Sequence, residues 1–480
     1  MVFTPKTAGL ALFSFALVAR RAMAVETCLE LMDEVAAIET SGTIPIDTSI
    51  SCSTHIEVLS SQTVTITGPA TITIEAGFSS ENSSLFANDG TLTLENITVQ
   101  TAAEEAVRAV WNTGTLTLET CSFDGLSGNA DFATMLTRGG AIYSVSSGAI
   151  TISDSTFSSN VVSFRGGAIF AGNAEELTIT GSTFQANEAD SNGGDEAGAG
   201  GDLWAAEDVE LAVTNSVFSG SSTEYGGASI ECCGGVFKTS NFTNTESSLD
   251  TEHFGAVLVG RPGVGCPRGL DMEDCTFDGC TADNAAGAGG SLAIFDTSAE
   301  IKSCVFQNSV GTALLFESSS ADGDHKLSLK SCEFNENSEP SELYQSDIVQ
   351  GSALVVTNTG VEEGSEPVSM GEFYNIFCFG NEPYECEFIE DLADVAYTGD
   401  FKCRVCNRDG DEIDATGDGE IDGASDSRSS GSSDDNSGIV IGLSLALGLT
   451  LVVIGALAVW KFKVRKNARR LMEDMGDGDL

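Results

Sequence analysis

The feature that most constrains this chain is a short unit that recurs through its middle at irregular intervals. One part reads Gly-Gly-Ala-Ile, at Gly139–Ile142 and Gly166–Ile169, with looser versions beginning at Gly226, Gly289 and Gly351. A short alternating run follows, as in Leu116-Thr117-Leu118, Ile150-Thr151-Ile152 and Leu177-Thr178-Ile179. A small residue then stands two positions before a Phe, at Phe123, Phe157, Phe184, Phe218, Phe242, Phe277, Phe306 and Phe334. Asn often lies three residues beyond, at Asn160, Asn187 and Asn337, and successive Phe are 24 to 35 residues apart.

Runs of period two, rich in Thr, Val and Ile, are strands rather than helix. No helical pattern of useful length separates them, so βαβ crossovers are excluded. A unit burying one or two residues per strand cannot hold a core alone, whereas stacked units cover one another's apolar faces. The expected fold class is therefore all-β, a right-handed parallel β-helix, with Phe stacked on Phe and turn Asn bonded to turn Asn. The Gly pairs suit corners that need positive φ. Varying periods mean loops leaving the coils, such as the acidic, Gly-rich stretch from Asp190 to Gly201. A β-sandwich is the alternative, but it predicts hairpin signals every ~8–12 residues and no in-register Phe column. Thr43–Ile46 and Val64–Thr67 read as first-coil strands, and Cys28–Ile38 has helical spacing suited to capping the open end of the core.

Gly-Gly-Ala-Ile together with Phe-x-x-Asn (Phe157–Asn160, Phe184–Asn187, Phe334–Asn337) resembles the repeats of chlamydial polymorphic outer-membrane proteins. The resemblance spans roughly Asn96 to Asn381. It implies the β-helical coil of the wider pectin-lyase-like superfamily, which includes polysaccharide-acting enzymes, and a surface adhesin's role. Those bacterial proteins end in a translocating β-barrel, whereas this chain ends in one apolar segment.

The ends assign a topology. Lys6, an apolar run from Ala8 to Ala19 and Ala22-Met23-Ala24 form a signal peptide over 1–24 with an A-x-A cleavage site. Arg20 and Arg21 are unusual there and keep an uncleaved anchor as the alternative. Gly438 to Trp460 is uncharged for 23 residues, long enough for one transmembrane helix. Lys461, Lys463, Arg465, Lys466, Arg469 and Arg470 follow it directly, so the positive-inside bias puts the tail 461–480 in the cytoplasm. The expected order is a cap and first coil over 25–60, the parallel β-helix over 61–381 and a Cys-rich membrane-proximal closure over 382–406. A disordered acidic stalk over 407–437 and the membrane helix over 438–460 complete it. The expectation is a single-pass type I protein of the cell membrane with an extracellular ectodomain. Gly438 and Gly442 form a G-x-x-x-G, through which a weak homodimer of membrane helices is an expectation.

Fourteen Cys in an exported chain read first as disulfides. Cys28 and Cys52 would tie the cap to the first coil. Cys378, Cys386, Cys403 and Cys406 would form a knot at the far end, the Cys403-x-x-Cys406 spacing alone also allowing zinc. Cys121, Cys275, Cys304 and Cys332 share one register two before Phe, where either disulfides or a column of buried thiols fits. Asn82, Asn96 and Asn241 are N-glycosylation sequons. Asp414, Thr416, Asp418 and Asp422 match the start of a calcium loop, although position 12 is Ser425; calcium is the one cofactor the sequence suggests, against the alternative of a solvated acidic linker.

The formal charge of −50 excludes nucleic acid as a partner, since phosphate repels an acidic face. Catalytic signals are few: His55, His253 and His325 sit in no metalloprotease-like motif, no G-x-S-x-G elbow occurs, and polygalacturonase signatures are missing. The expectation is a cell-surface binding or adhesion-type protein, not an enzyme, with an extracellular glycan or protein ligand that the sequence does not name. The alternative is a membrane-tethered polysaccharide lyase or hydrolase.

Overall fold

The computed structural model describes residues 25–413, apart from 80–82, 103–106, 128–137, 146, 191–197, 224–225, 248–252, 261–265, 283–288, 320–324, 339–352 and several stretches after 358. The signal peptide, the apolar segment 438–460, the Gly438/Gly442 pair, the tail and the calcium-loop residues Asp414, Thr416, Asp418 and Asp422 lie outside these residues. Among the described residues no helix is long and apolar enough to cross a membrane.

The described chain is strand apart from one α-helix, α1 (Cys28–Ala36). Thr27 opens α1 with a capping box: its hydroxyl accepts from Glu30 N while the Glu30 carboxylate accepts from Thr27 N. Leu31 and Val35 are buried against the first coil, and Gln62 Nε2 donates to the carbonyls of Val35 and Ile38, satisfying the helix end. The Cys28–Cys52 disulfide forms as expected, with Cα atoms 5.1 Å apart.

The strands stack in parallel, coil upon coil, and fit a parallel β-helix. Three faces recur. Face one is the Leu-x-Leu run, with Leu116, Ile150, Leu177 and Leu211 in register. Face two carries the Phe, and face three follows the Gly pair, with Val110, Ile142, Ile169 and Leu203 in register. Every named strand pairs in parallel except Val405–Cys406 with Glu412–Ile413, which is antiparallel. That excludes a hairpin-built sandwich.

The Phe column is internal. Phe123, Phe157, Phe184, Phe218, Phe242, Phe277, Phe306 and Phe334 are fully buried, with neighbouring ring centroids 4.8–5.0 Å apart. That distance is the interstrand spacing itself, so each coil sets one ring on the last.

Two left-handed positions frame each Phe. Three residues before it, Thr120, Asp154, Gly181, Asn215, Thr239, Asp274, Ser303 and Ser331 have φ between 48° and 61°. Two residues after it, Gly125, Ser159, Ala186, Gly220, Asn244, Gly279, Asn308 and Glu336 have φ between 50° and 66°. In the Gly pairs only the first member is a positive-φ corner (Gly139 at 60°, Gly166 at 66°). The second is small for another reason: a Cβ on Gly167 would lie 2.0 Å from the Gly201 carbonyl oxygen of the next coil.

The small residue before Phe forms a hydrogen-bond ladder. The backbone N–H of Cys121, Ser155, Ser182 and Ser216 donates in turn to the hydroxyl of Ser155, Ser182, Ser216 and Ser240, at 3.0–3.2 Å. Each hydroxyl donates onward to the carbonyl two residues back in its own coil. Further along, Cys275 N donates to Cys304 Sγ at 3.4 Å, and the thiols of Cys275, Cys304 and Cys332 donate to the same carbonyl position. Cys121, Cys275, Cys304 and Cys332 are thus buried thiols standing where serine stands in other coils, and they are not paired in disulfides.

The parallel ladder runs past the expected boundary at 381. Cys386 pairs with Leu354 and Cys406 with Glu387, so strands of the segment expected to be a separate closure continue the stack. Glu412–Ile413, within the span expected to be a disordered stalk, is a strand. These coils lack the Gly pair and the Phe, which is why their sequence does not announce them. Cys403 lies outside the described residues, so the structure does not test the knot.

Candidate functional site

Alternate residues on a strand point to opposite sides. On face three the inward set, Ile142, Ile169, Leu203 and Ile230 among it, belongs to the main core. The outward set is one column in register: Trp111, Tyr143, Phe170, Trp204, Glu231, Leu258, Ala293, Leu315 and Val355.

Its first four members are stacked rings. Centroids lie 4.7 Å apart for Trp111 and Tyr143, 5.1 Å for Tyr143 and Phe170, and 4.7 Å for Phe170 and Trp204. Three arginines interleave with them. The Arg108 guanidinium lies 5.5 Å from the Trp111 centroid and 4.7 Å from that of Tyr143. Arg138 lies 5.2 Å from Phe170, and Arg165 lies 4.9 Å from Trp204; both also approach Phe164, at 4.8 and 4.6 Å. A cation over a ring face gains ~0.5–2 kcal/mol, more as water is excluded. Arg108 is fully buried, and burial brings its pKa down to about 10, so it remains a cation at neutral pH. Arg138 and Arg165 are half-buried, as are Trp111 and Trp204.

The aromatic stack ends at a cavity. About 350 Å3 of space is lined by Trp204, Arg165, Asn173, Glu207, Asp208, Glu231 and the Cys232–Cys233 strand end. The indole N–H of Trp204 donates to Glu231 Oε1 at 3.1 Å, and Asn173 Nδ2 is held by the Val145 carbonyl at 3.1 Å. Glu231 is buried, whereas Glu207 and Asp208 are exposed at the rim. A disulfide between Cys233 and Cys266, Cα atoms 5.3 Å apart, fixes one wall. Burial pushes the Cys232 thiol up to about 12, so it stays protonated and unreactive at neutral pH.

Face one carries a second, shallower groove of about 660 Å3 across five coils, lined by Glu210, Asp271, Glu300, Arg268, Lys326 and Lys330 among smaller residues. Several of its charges are paired: Arg268 with Glu210 at 3.3 Å, and Lys330 and Lys302 with Glu300 at 2.9 and 3.0 Å. Lys330 and then Lys302 hold the Glu300 carboxyl below the ordinary range, so it stays ionised and is no proton donor at neutral pH.

Asp202 is the carboxyl with a large upward shift, pushed by burial to about 7. It is enclosed, accepting from Asn187 Nδ2 at 2.7 Å. The buried Asn column explains it. Asn160 donates to Asn187 at 2.9 Å, and Asn337 to Asn381 at 2.9 Å, but the coil after Asn187 has Ser221 at that position. Asp202 accepts the amide proton that a further Asn would have taken.

Of the sequon residues, Asn96 and Asn241 are exposed and Asn82 lies outside the described residues. No group of three or more His, Cys, Asp or Glu side chains converges for a metal among the described residues. Sequence reasoning missed the arginine–aromatic column and the Cys233–Cys266 pair. The first left a readable trace: Arg138 and Arg165 each precede a Gly pair, and an aromatic residue follows each Gly-Gly-Ala-Ile.

The chain matches no protein-family profile and no curated protein. Among solved structures it is similar to the A-module of a mannuronan C-5 epimerase from Azotobacter vinelandii, at 9% identity and a TM-score of 0.27, over 78% of this chain and 91% of that one. A likeness that slight carries no argument about fold or activity.

Proposed function

We propose that this chain is a cell-surface binding protein of the adhesion type, holding a right-handed parallel β-helix outside a membrane that it crosses once. The right hand follows from the rule that crossovers between parallel strands of one sheet are almost always right-handed. The charge pattern around the apolar segment supports the type I orientation, and the repeats' resemblance to chlamydial surface adhesins supports the role.

The observation that carries the reading is the outward column of face three. It holds Trp111, Tyr143, Phe170 and Trp204 interleaved with arginines, in a chain of net charge −50. Of that column Trp111 and Trp204 are half-buried and reach solvent, while Tyr143 and Phe170 are buried. Aromatic and Arg side chains dominate binding energies at interfaces.

A membrane-tethered polysaccharide lyase or hydrolase is the second reading, favoured by the face-one groove where carboxylates and cations converge. Against it, Glu300 there is locked in ion pairs, and Asp202, which titrates near neutrality, is sealed from solvent.

The test uses the full-length protein in lipid vesicles. They should adhere to cell-surface or matrix material without releasing oligosaccharide. Arg138→Glu with Arg165→Glu should weaken adhesion by about tenfold or more. A tag after Leu480 should be protease-protected in intact cells. Steady release of oligosaccharide, abolished by changing one groove carboxylate, would replace this reading with the second.

A further inference from the structure

Face one of the early coils carries a lattice of threonines. Thr43, Thr65, Thr93, Thr117, Thr151 and Thr178 form one outward column, each in register with the next. Two residues earlier on the first four strands, Ser41, Thr63, Thr91 and Thr115 form a second. Val64, Leu92 and Leu116, between the two columns, face the core and are fully buried, which anchors the strands from below.

The array is open. Ser41, Thr43, Thr63 and Thr151 are exposed and the others half-buried. Among the described residues only Thr178 spends its hydroxyl within the protein, donating to Glu176 Oε1 at 2.7 Å. The array is also regular. Neighbours within a column lie one interstrand spacing apart, ~4.8 Å, and the two columns lie two residues apart along each strand, ~6.6 Å. The register shift between Thr67 and Ala70 falls beyond both columns. Threonine is β-branched and stiff at χ1, so its methyl and hydroxyl are preset before any partner arrives.

What fits such a face is flat, periodic and uncharged. The main column holds no charge from Thr43 to Thr178, in a chain of net charge −50, whereas later on the same face it holds Asp271 and Glu300. A polyanion or a mineral surface needs charge that the array does not offer. A sugar ring stacks on an aromatic plate, and no ring stands in either column. A second copy would bury rows of hydroxyls for little apolar area. Ice meets every requirement. The oxygen rows on a prism face of hexagonal ice repeat at intervals close to both of those in the array. A hydroxyl can donate to and accept from that lattice, and a methyl can seat between its rows.

We infer that the threonine array on face one binds ice. It goes beyond the adhesion reading and does not rest on it, because that reading uses the arginine–aromatic column of face three.

The experiment uses the full-length protein in lipid nanodiscs, with empty nanodiscs as the blank. Labelled protein should concentrate in slowly grown ice and should open a gap between melting and freezing temperatures that the blank lacks. Thr65→Lys with Thr93→Lys sets two long charged side chains in the middle of the array, and should cut both readouts by about tenfold. Thr65→Ser with Thr93→Ser keeps the hydroxyls and removes two methyls, and should cut them by about threefold. Thr276→Lys, at a half-buried outward position of face two, should change neither. Circular dichroism checks that each variant keeps its strands. Exclusion of the unaltered protein from ice would overturn the inference, as would a lysine pair or a serine pair no more damaging than Thr276→Lys. Arg138→Glu with Arg165→Glu should keep full ice uptake, so adhesion lost in that variant or absent altogether leaves the ice reading standing.

Discussion

The coils from Thr91 to Asn215 and those from Gly235 to Asn337 share a skeleton and differ in what they hang on it. Both halves place Phe on Phe at 4.8–5.0 Å and use the same two left-handed positions per coil. The turn ladder begins at Cys121, runs as serine through the first half and on to Ser240, and in the rest of the second half is Cys275, Cys304 and Cys332. In the first half the outward column of face three is aromatic and interleaved with arginine. In the second it is Leu258, Ala293 and Leu315, which with Phe295 and Val355 of the next coil form a small hydrophobic cluster apart from the main core. The coil constrains the size and hydrogen-bonding capacity of a residue rather than its identity. The two halves diverge most in the second column of face three, largely buried in both and filled differently in each.

If the Phe column is common property, its loss should cost the same in either half. Phe184→Ala and Phe277→Ala are each expected to destabilise by about 3–5 kcal/mol, read from denaturant unfolding. A cost below about 1 kcal/mol in one half would break the equivalence.

Asp202 belongs to the first half alone. Its pKa is about 7 in the fold and near its ordinary 3.8 when unfolded. Below about pH 4 the group is protonated in both states and has no effect. As pH rises toward 7 the unfolded state releases the proton first, so stability falls, and above about 7 the loss is complete. The unit conversion puts its ceiling on the order of 4 kcal/mol. Asp202→Asn should remove this decline, making the variant more stable at pH 8 and indistinguishable at pH 3.5. Unfolding curves at the two pH values check it, and an unchanged pH slope would count against a buried, protonated Asp202.

The turn ladder makes a finer comparison. Ser182→Ala and Cys304→Ala each orphan a buried N–H, of Ser155 and Cys275, and should cost about 1–3 kcal/mol. The exchanges Ser182→Cys and Cys304→Ser keep the acceptor and should cost under about 1.5 kcal/mol. Exchanges as damaging as alanine would mean that the halves are not interchangeable.

The smallest effect lies at the second left-handed position. Ala186 and Glu336 hold φ near 51° and 52°, where Gly125, Gly220 and Gly279 sit without a Cβ penalty. Ala186→Gly and Glu336→Gly should each stabilise by about 0.5 kcal/mol, the relief of left-handed strain exceeding the added chain entropy.

What could be read from the sequence was what repeats in it. The Phe column, the corner glycines, the turn Asn pairs and the capping helix follow from spacing alone, and Cys28 with Cys52 from their places at cap and first coil. The left-handed columns did not show, because Thr, Asp, Asn, Ser, Ala and Glu all occupy them: backbone geometry is imposed by the stack, not by the residue. The strands after Asn381 were missed because no Gly pair marks their coils. The arginine–aromatic column was missed because its ring changes from Trp111 to Tyr143 to Phe170, so no letter recurs. The Trp204–Glu231 cavity arises from four successive coils meeting, and a linear pattern does not carry that.

A stack of parallel coils contains no instruction to end. Each coil offers the next the same row of donors and acceptors, and an exposed last row would accept a strand from another molecule as readily as from its own chain. Here α1 and the Cys28–Cys52 bridge close the first row, and the reversed strand Glu412–Ile413 pairs with the last. Each covers part of an end row that another copy could otherwise extend. A chain stripped of α1 is expected to add to its like end to end, by the same register that folds a single copy.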